Sequence, residues 1–81
     1  MKFQRGDLLR PKNTHTWVGD PADVRSPVLY GEDAWPAVLL DGAPALGESE
    51  VGIYLYQRLL LSKGVVIEVF PSFLELCDKI E

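Results

Sequence analysis

An all-β fold is what this sequence predicts, and three observations carry the prediction. Glycine and proline punctuate the chain throughout, with seven of the first and six of the second. No stretch holds a sustained helical apolar period, and the apolar residues fall instead in short β-prone runs between turn signals. Such runs are the pattern of a small barrel or sandwich. At 81 residues the chain is one domain, 1–81, without internal repeats and with no room for a second core. A chain this short buries only roughly 60% of its unfolded surface, so small scaffolds usually add disulfides, a metal or a partner subunit. The single cysteine (Cys77) and single histidine (His15) make neither an internal disulfide nor a four-ligand zinc site. An efficient apolar core or self-association remains, and 47% hydrophobic content makes the first feasible.

Taken in order, the elements begin with Leu8-Leu9-Arg10-Pro11, reached through Gly6-Asp7. Residues 13–34 form a long excursion, carrying Gly19-Asp20-Pro21, Ser26-Pro27 and Gly31, with a short strand expected at Val28-Leu29-Tyr30. Ala37-Val38-Leu39-Leu40 follows, closed by Asp41-Gly42, and residues 41–50 (DGAPALGESE) read as a small, acidic, exposed loop. Ile53–Leu61 and Val65–Phe70 then flank Ser62-Lys63-Gly64 as a hairpin.

Its register can be worked out on paper. A two-residue turn at Lys63-Gly64 would set Leu59 against Glu68 and Arg58 against Val69. A three-residue turn, with Gly64 supplying a positive φ next to a G1 bulge, pairs Leu61 with Val65, Leu59 with Ile67 and Gln57 with Val69. The opposite face then pairs Leu60 with Val66, Arg58 with Glu68 and Tyr56 with Phe70. One face is aliphatic and the other carries an ion pair and an aromatic pair, so the three-residue turn is predicted.

The tail admits two readings. Ser72-Phe73-Leu74-Glu75 has the form of a capping box, and Phe70, Phe73, Leu74 and Cys77 recur at helical spacing. About ten residues are too few for a helix that stabilises itself. A single helical or 3₁₀ turn at Ser72–Phe73 with a short strand at Leu74–Cys77 is therefore preferred.

The opening Gly6-Asp7-Leu8-Leu9-Arg10 and the run Leu59-Leu60-Leu61-Ser62-Lys63-Gly64-Val65-Val66-Ile67-Glu68-Val69 resemble the small SH3-like barrels that bacteriophages encode. Phe70-Pro71-Ser72-Phe73-Leu74-Glu75-Leu76 resembles the 3₁₀ turn and last strand of signalling SH3 domains. The resemblance implies an SH3-like barrel of about five strands, with a long first loop and a short helical turn near the C-terminus. The paired tryptophans and acidic loop of proline-reading SH3 domains have no counterpart here, so the resemblance transfers no site, and fold analogy alone does not define function.

Catalytic machinery is not recognisable. His15 sits in a loop-like Asn-Thr-His-Thr context with no evident nucleophile. Cys77, between the acidic Glu75 and Asp78, reads as a buried thiol whose pKa is raised. Asp20 and Asp23 lack the alternating oxygen ligands of a calcium loop and read as Asx-turn caps. Gly42 and Gly47 lack the lysine and hydroxyl of a phosphate loop. The expectation is a non-enzymatic chain without cofactor, metal or small-molecule substrate.

Charge is uneven. Lys2, Arg5, Arg10 and Lys12 against Asp7 leave residues 1–19 at +3, and residues 20–81 carry −7, which together give the net −4. Overall acidity argues against a general nucleic-acid binder. The candidate partner-binding residues are Arg10, Lys12, His15, Trp17 and Trp35, where cations interleave with aromatics, together with Tyr54 and Tyr56. Tyr30, Tyr54 and Tyr56 are expected either to lie exposed as an interface patch or to be covered by the 13–34 excursion. Trp and Arg are enriched in protein hot spots, and one tryptophan also suits a plug at the end of the fold. The leading expectation is a protein-interaction or assembly module with a protein partner or self-association. The alternatives are nucleic-acid binding by the basic N-terminal end, and an acidic inhibitor that covers a basic protein surface. No apolar run approaches the ~20 residues of a membrane helix, and no secretion signal is evident, so a cytoplasmic, non-membrane protein is expected.

Overall fold

Gly6 and Asp7 start the fold. In the computed structural model, which describes residues 3–80, Gly6 takes φ +92°, a conformation that costs glycine little. The Asp7 carboxylate accepts the Gln4 N–H at 2.9 Å, and Gly6 donates to the Leu39 carbonyl at 2.7 Å. The turn thus delivers β1 (Leu8–Pro11) beside its neighbour already in register. Lys2, part of the basic N-terminal end, lies outside the described residues.

Seven more strands follow: β2 (Val18–Asp20), β3 (Asp23–Val28), β4 (Ala37–Leu39), β5 (Ala45–Ser49), β6 (Gly52–Leu60), β7 (Val66–Val69) and β8 (Cys77–Ile80). Two 3₁₀ segments, Glu32–Ala34 and Pro71–Leu76, interrupt them. Every pairing is antiparallel. β1 lies between β8 and β4, β4 continues to β6, and β6 pairs with both β5 and β7. β2 and β3 form a separate two-stranded ribbon. Over the described residues the protein is all-β, in open antiparallel sheets of eight strands rather than about five. Among the described residues no helix is long and apolar enough to cross a membrane.

The hairpin register is the expected one, with Gln57 opposite Val69, Arg58 opposite Glu68, Leu59 opposite Ile67 and Leu60 opposite Val66. Gly64 has φ +86°, and Leu61 donates to Val65 across the Ser62–Gly64 turn at 2.8 Å. The aliphatic face is the core side. Leu9, Leu39 and Leu59, from the neighbouring strands β1, β4 and β6, are all fully buried, each worth about 1.5–3 kcal/mol of burial. Trp35 closes one side of this core, stacked on Phe73 at 6.2 Å and edge-on to Tyr30 at 6.3 Å. Ser62 pins the hairpin turn to the neighbouring chain, with its Oγ donating to the Pro36 carbonyl at 2.7 Å and its N–H to Ala34 at 2.9 Å.

Four expectations are corrected. Residues 45–49 are not loop: they form β5, because β6 extends beyond β7 and its N-terminal half takes them as a partner. The excursion's strand runs Asp23–Val28 and not Val28–Tyr30, since it pairs with β2 across a turn where Asp20 accepts the Ala22 N–H. The 3₁₀ segment covers Pro71–Leu76, which displaces the last strand from Leu74–Cys77 to Cys77–Ile80. Ser72 is not an N-cap either: Phe70 holds that position without a side-chain bond, and Pro71 begins the turn, a place where its missing N–H costs nothing.

Candidate interaction surfaces

The strand β6 carries its side chains alternately to two faces. On the core side run Leu61, Leu59, Gln57, Leu55 and Ile53. Exposure along that row is 3%, 0% and 0%, then 49% at Leu55 and 70% at Ile53. The chemistry of the row stays apolar at Leu55 and Ile53 while its cover ends. Beyond Gln57, β6 pairs only with β5, which sets Leu46 against Leu55 and Glu48 against Ile53. Leu46 is 72% exposed. The turn between the strands is Glu50-Val51, tightened by the Val51 N–H donating to Ser49 Oγ at 3.3 Å. Together β5 and Gly52–Tyr56 form a two-stranded arm whose core-side face is a bare patch of Leu46, Ile53 and Leu55. Scattered exposed apolar residues are ordinary, but a contiguous patch marks a surface that docks.

The other face of the arm is built differently. Tyr54 lies across Gly47, its cross-strand partner, and a side chain at 47 would start 2.5 Å from the tyrosine ring. Tyr56 lies beside it, ring centres 5.8 Å apart, and the Tyr54 hydroxyl donates to Glu68 at 3.2 Å. Burial, then the negative charge and hydrogen bond of Glu68, raise the Tyr54 pKa. At the base of the arm Asp41 grips Arg58. Arg58 Nε and a terminal guanidinium nitrogen each donate at 2.9 Å, and its backbone N–H donates at 3.0 Å. These bonds hold the Asp41 carboxyl below the ordinary carboxylate range. The excursion reaches over this side, with the Phe70 ring 3.2 Å from where a Gly19 side chain would begin. Between β2–β3 and β7 a cleft of about 300 Å³ remains, whose charged lining residues are Asp20 and Glu68. Burial and Asp20 raise the pKa of Tyr30, which also lines it. The tyrosines are thus half-covered, and neither of the two simple expectations describes them fully.

The predicted residues do not converge on one site. Trp35 is only 6% exposed and belongs to the core. Trp17 is 60% exposed. Arg10 is exposed on β1 in register with Asp78. Lys12 is exposed, and its N–H donates to Leu76 at 2.8 Å. His15 is exposed on a turn where its N–H donates to Asn13 Oδ1 at 2.9 Å. Tyr54 and Tyr56 stand together on β6. Cys77 is the buried thiol the sequence implied, its pKa pushed up to about 12 by burial and by Asp78. Asp20 and Asp23 do make the expected Asx-type bonds, to Ala22 and Arg25.

The arm's apolar face was missed, although a signal existed. Ile53–Leu61 is nine residues long and Val65–Phe70 only six, so the first run needed a second partner.

No family model, no curated protein and no solved structure matches this chain. What fold and surface define is a small antiparallel β domain with a two-stranded, apolar-faced arm whose tip, Ser49–Val51, shares a cleft with Ala22–Arg25 of the β2–β3 ribbon.

Proposed function

We propose that this chain is a non-enzymatic protein-interaction or assembly module that docks through the arm. The carrying observation is the row on β6 whose leucines are buried at 59 and 61 and whose apolar residues, past the buried Gln57, lie 49% exposed at Leu55 and 70% exposed at Ile53. An isolated two-stranded ribbon is marginal in water, and covering its apolar face with a partner would stabilise it. As to fold, the reading is an SH3-like barrel carrying two additions, the β2–β3 ribbon and the arm. A path of five paired strands, β8–β1–β4–β6–β7, supports it. So do the long excursion after the first of them in sequence and the 3₁₀ turn before the last.

The test is site-specific photocrosslinking in the native cell, with the reactive side chain placed at Ile53 or at Trp17. Protein adducts from position 53 that disappear with Leu46→Lys support docking through the arm. Adducts from position 17 alone move the site to the basic end. Nucleic-acid adducts at 17 would favour the second reading, in which Arg10, Lys12, His15 and Trp17 form the interface.

A further inference from the structure

We infer that the arm's partner is a second copy of this chain, its apolar face packed antiparallel against the same face across a two-fold axis. The inference rests on the docking reading above and identifies the occupant. A two-fold interface must be self-complementary, and the arm has the required arrangement along its length. Its centre is apolar: Leu46, Leu55 and Ile53. Its tip is acidic, with Glu48 opposite Ile53 and Glu50 in the turn. Its base carries two cations against one anion: Arg58 holds Asp41 at 2.9 Å, and Arg5 lies close enough for its charge to help lower the Asp41 pKa as well.

Two arms laid parallel would set four glutamates together. Laid antiparallel, each acidic tip reaches the other copy's Arg5, and the leucines meet at the centre. Like charges brought together across an interface suppress the wrong arrangement, and opposite ones fix the register.

Size sets the strength. The exposed fractions of Leu46, Ile53 and Leu55 amount to an apolar patch on the order of 400 Å², against roughly 800 Å² per partner in a standard stable interface. The dimer is therefore weak and concentration-dependent.

Sedimentation equilibrium of the full chain tests this. A monomer–dimer equilibrium is expected, abolished by Leu46→Lys and by Leu55→Lys in proteins that keep the wild-type circular dichroism spectrum. Leu46 is the safer of the two for the fold, being 72% exposed. Arg5→Glu and Glu48→Lys should each weaken self-association at least several-fold, and mixing the two should restore a heterodimer. A monomer at every concentration up to about 1 mM, the edge of useful affinity, overturns the inference, as does a dimer indifferent to Leu46→Lys. In the monomer case the docking reading survives if Leu46→Lys still removes the crosslinks from position 53, and falls with the inference if it does not.

Discussion

The two halves of β6 share one alternation and carry aliphatic residues on the same face, yet those residues meet opposite fates. From Gln57 onward β6 is flanked by β4 and β7 and packed on the Pro71–Leu76 turn, and its core-side residues, with Leu61 just beyond the strand, are sealed. From Ile53 to Leu55 the same face looks onto solvent. An apolar side chain is stabilising in proportion to the area removed from water, so the first half holds the fold together and the second adds almost nothing until something covers it. Within one strand, amino-acid type and energetic role are separable, and the variable that separates them is which elements lie opposite.

The largest effect should come from breaking that contrast directly. Leu59→Ala is expected to cost about 2–5 kcal/mol in urea unfolding, while Leu55→Ala changes stability by less than about 0.5 kcal/mol. Equal losses at the two positions would mean that the arm is already packed within the monomer.

Gly47 sharpens the comparison on the arm's other face. Gly47→Val forces the Tyr54 ring to move, since a Cβ would meet it at 2.5 Å, and a loss of about 1–3 kcal/mol is expected, as for overpacking. In the Tyr54→Ala background the same change should be close to neutral. A penalty of full size there would show that the ring is not what Gly47 accommodates.

The base of the arm is pH-sensitive in a defined sense. The Arg58 hydrogen bond lowers the folded pKa of Asp41. Its contribution is therefore complete above the ordinary carboxylate pKa and lost as pH falls through the lowered folded value. Asp41→Asn should cost about 1 kcal/mol at pH 7, with the gap to wild type narrowing below about pH 4.

The smallest effect belongs to Cys77 in the body. Its thiol pKa is raised from 9.0 to about 12 in the folded protein. Stability is thus unaffected well below pH 9 and declines as pH rises through it, since the unfolded thiol ionises first, by about 0.4 kcal/mol at pH 9. Cys77→Ala should remove that part of the alkaline decline, with the remainder following the raised tyrosine pKa values at Tyr30 and Tyr54. Native Cys77 should also resist thiol reagents at pH 8 and react only on unfolding.

By itself, the sequence determined whatever depends on neighbours along the chain or directly across a turn. The Gly6-Asp7 entry, the strand at Leu8–Pro11, the Asx bonds of Asp20 and Asp23 and the pairing of Gln57–Leu60 with Val66–Val69 were all legible. For the hairpin, the competing register puts charge against aliphatic residues, and the Asx bonds need only a partner two residues away. The burial of Cys77 was the ordinary expectation for a lone thiol, and it holds despite the acidic Glu75 and Asp78 beside it.

Tertiary structure alone decided the rest. Residues 45–49 are strand only because a remote segment offers them an unpaired edge. Pro71–Leu76 continues as 3₁₀ until β8 can reach β1, where Pro11 meets Cys77. Trp35 is core and Trp17 surface although both are tryptophans in turn-rich segments, because Phe73 and Tyr30 arrive from elsewhere to enclose the first. The arm's apolar face belongs to this second class. Alternation told which side of β6 is apolar, but whether that side meets protein or water depends on what packs opposite, and no local pattern encodes that.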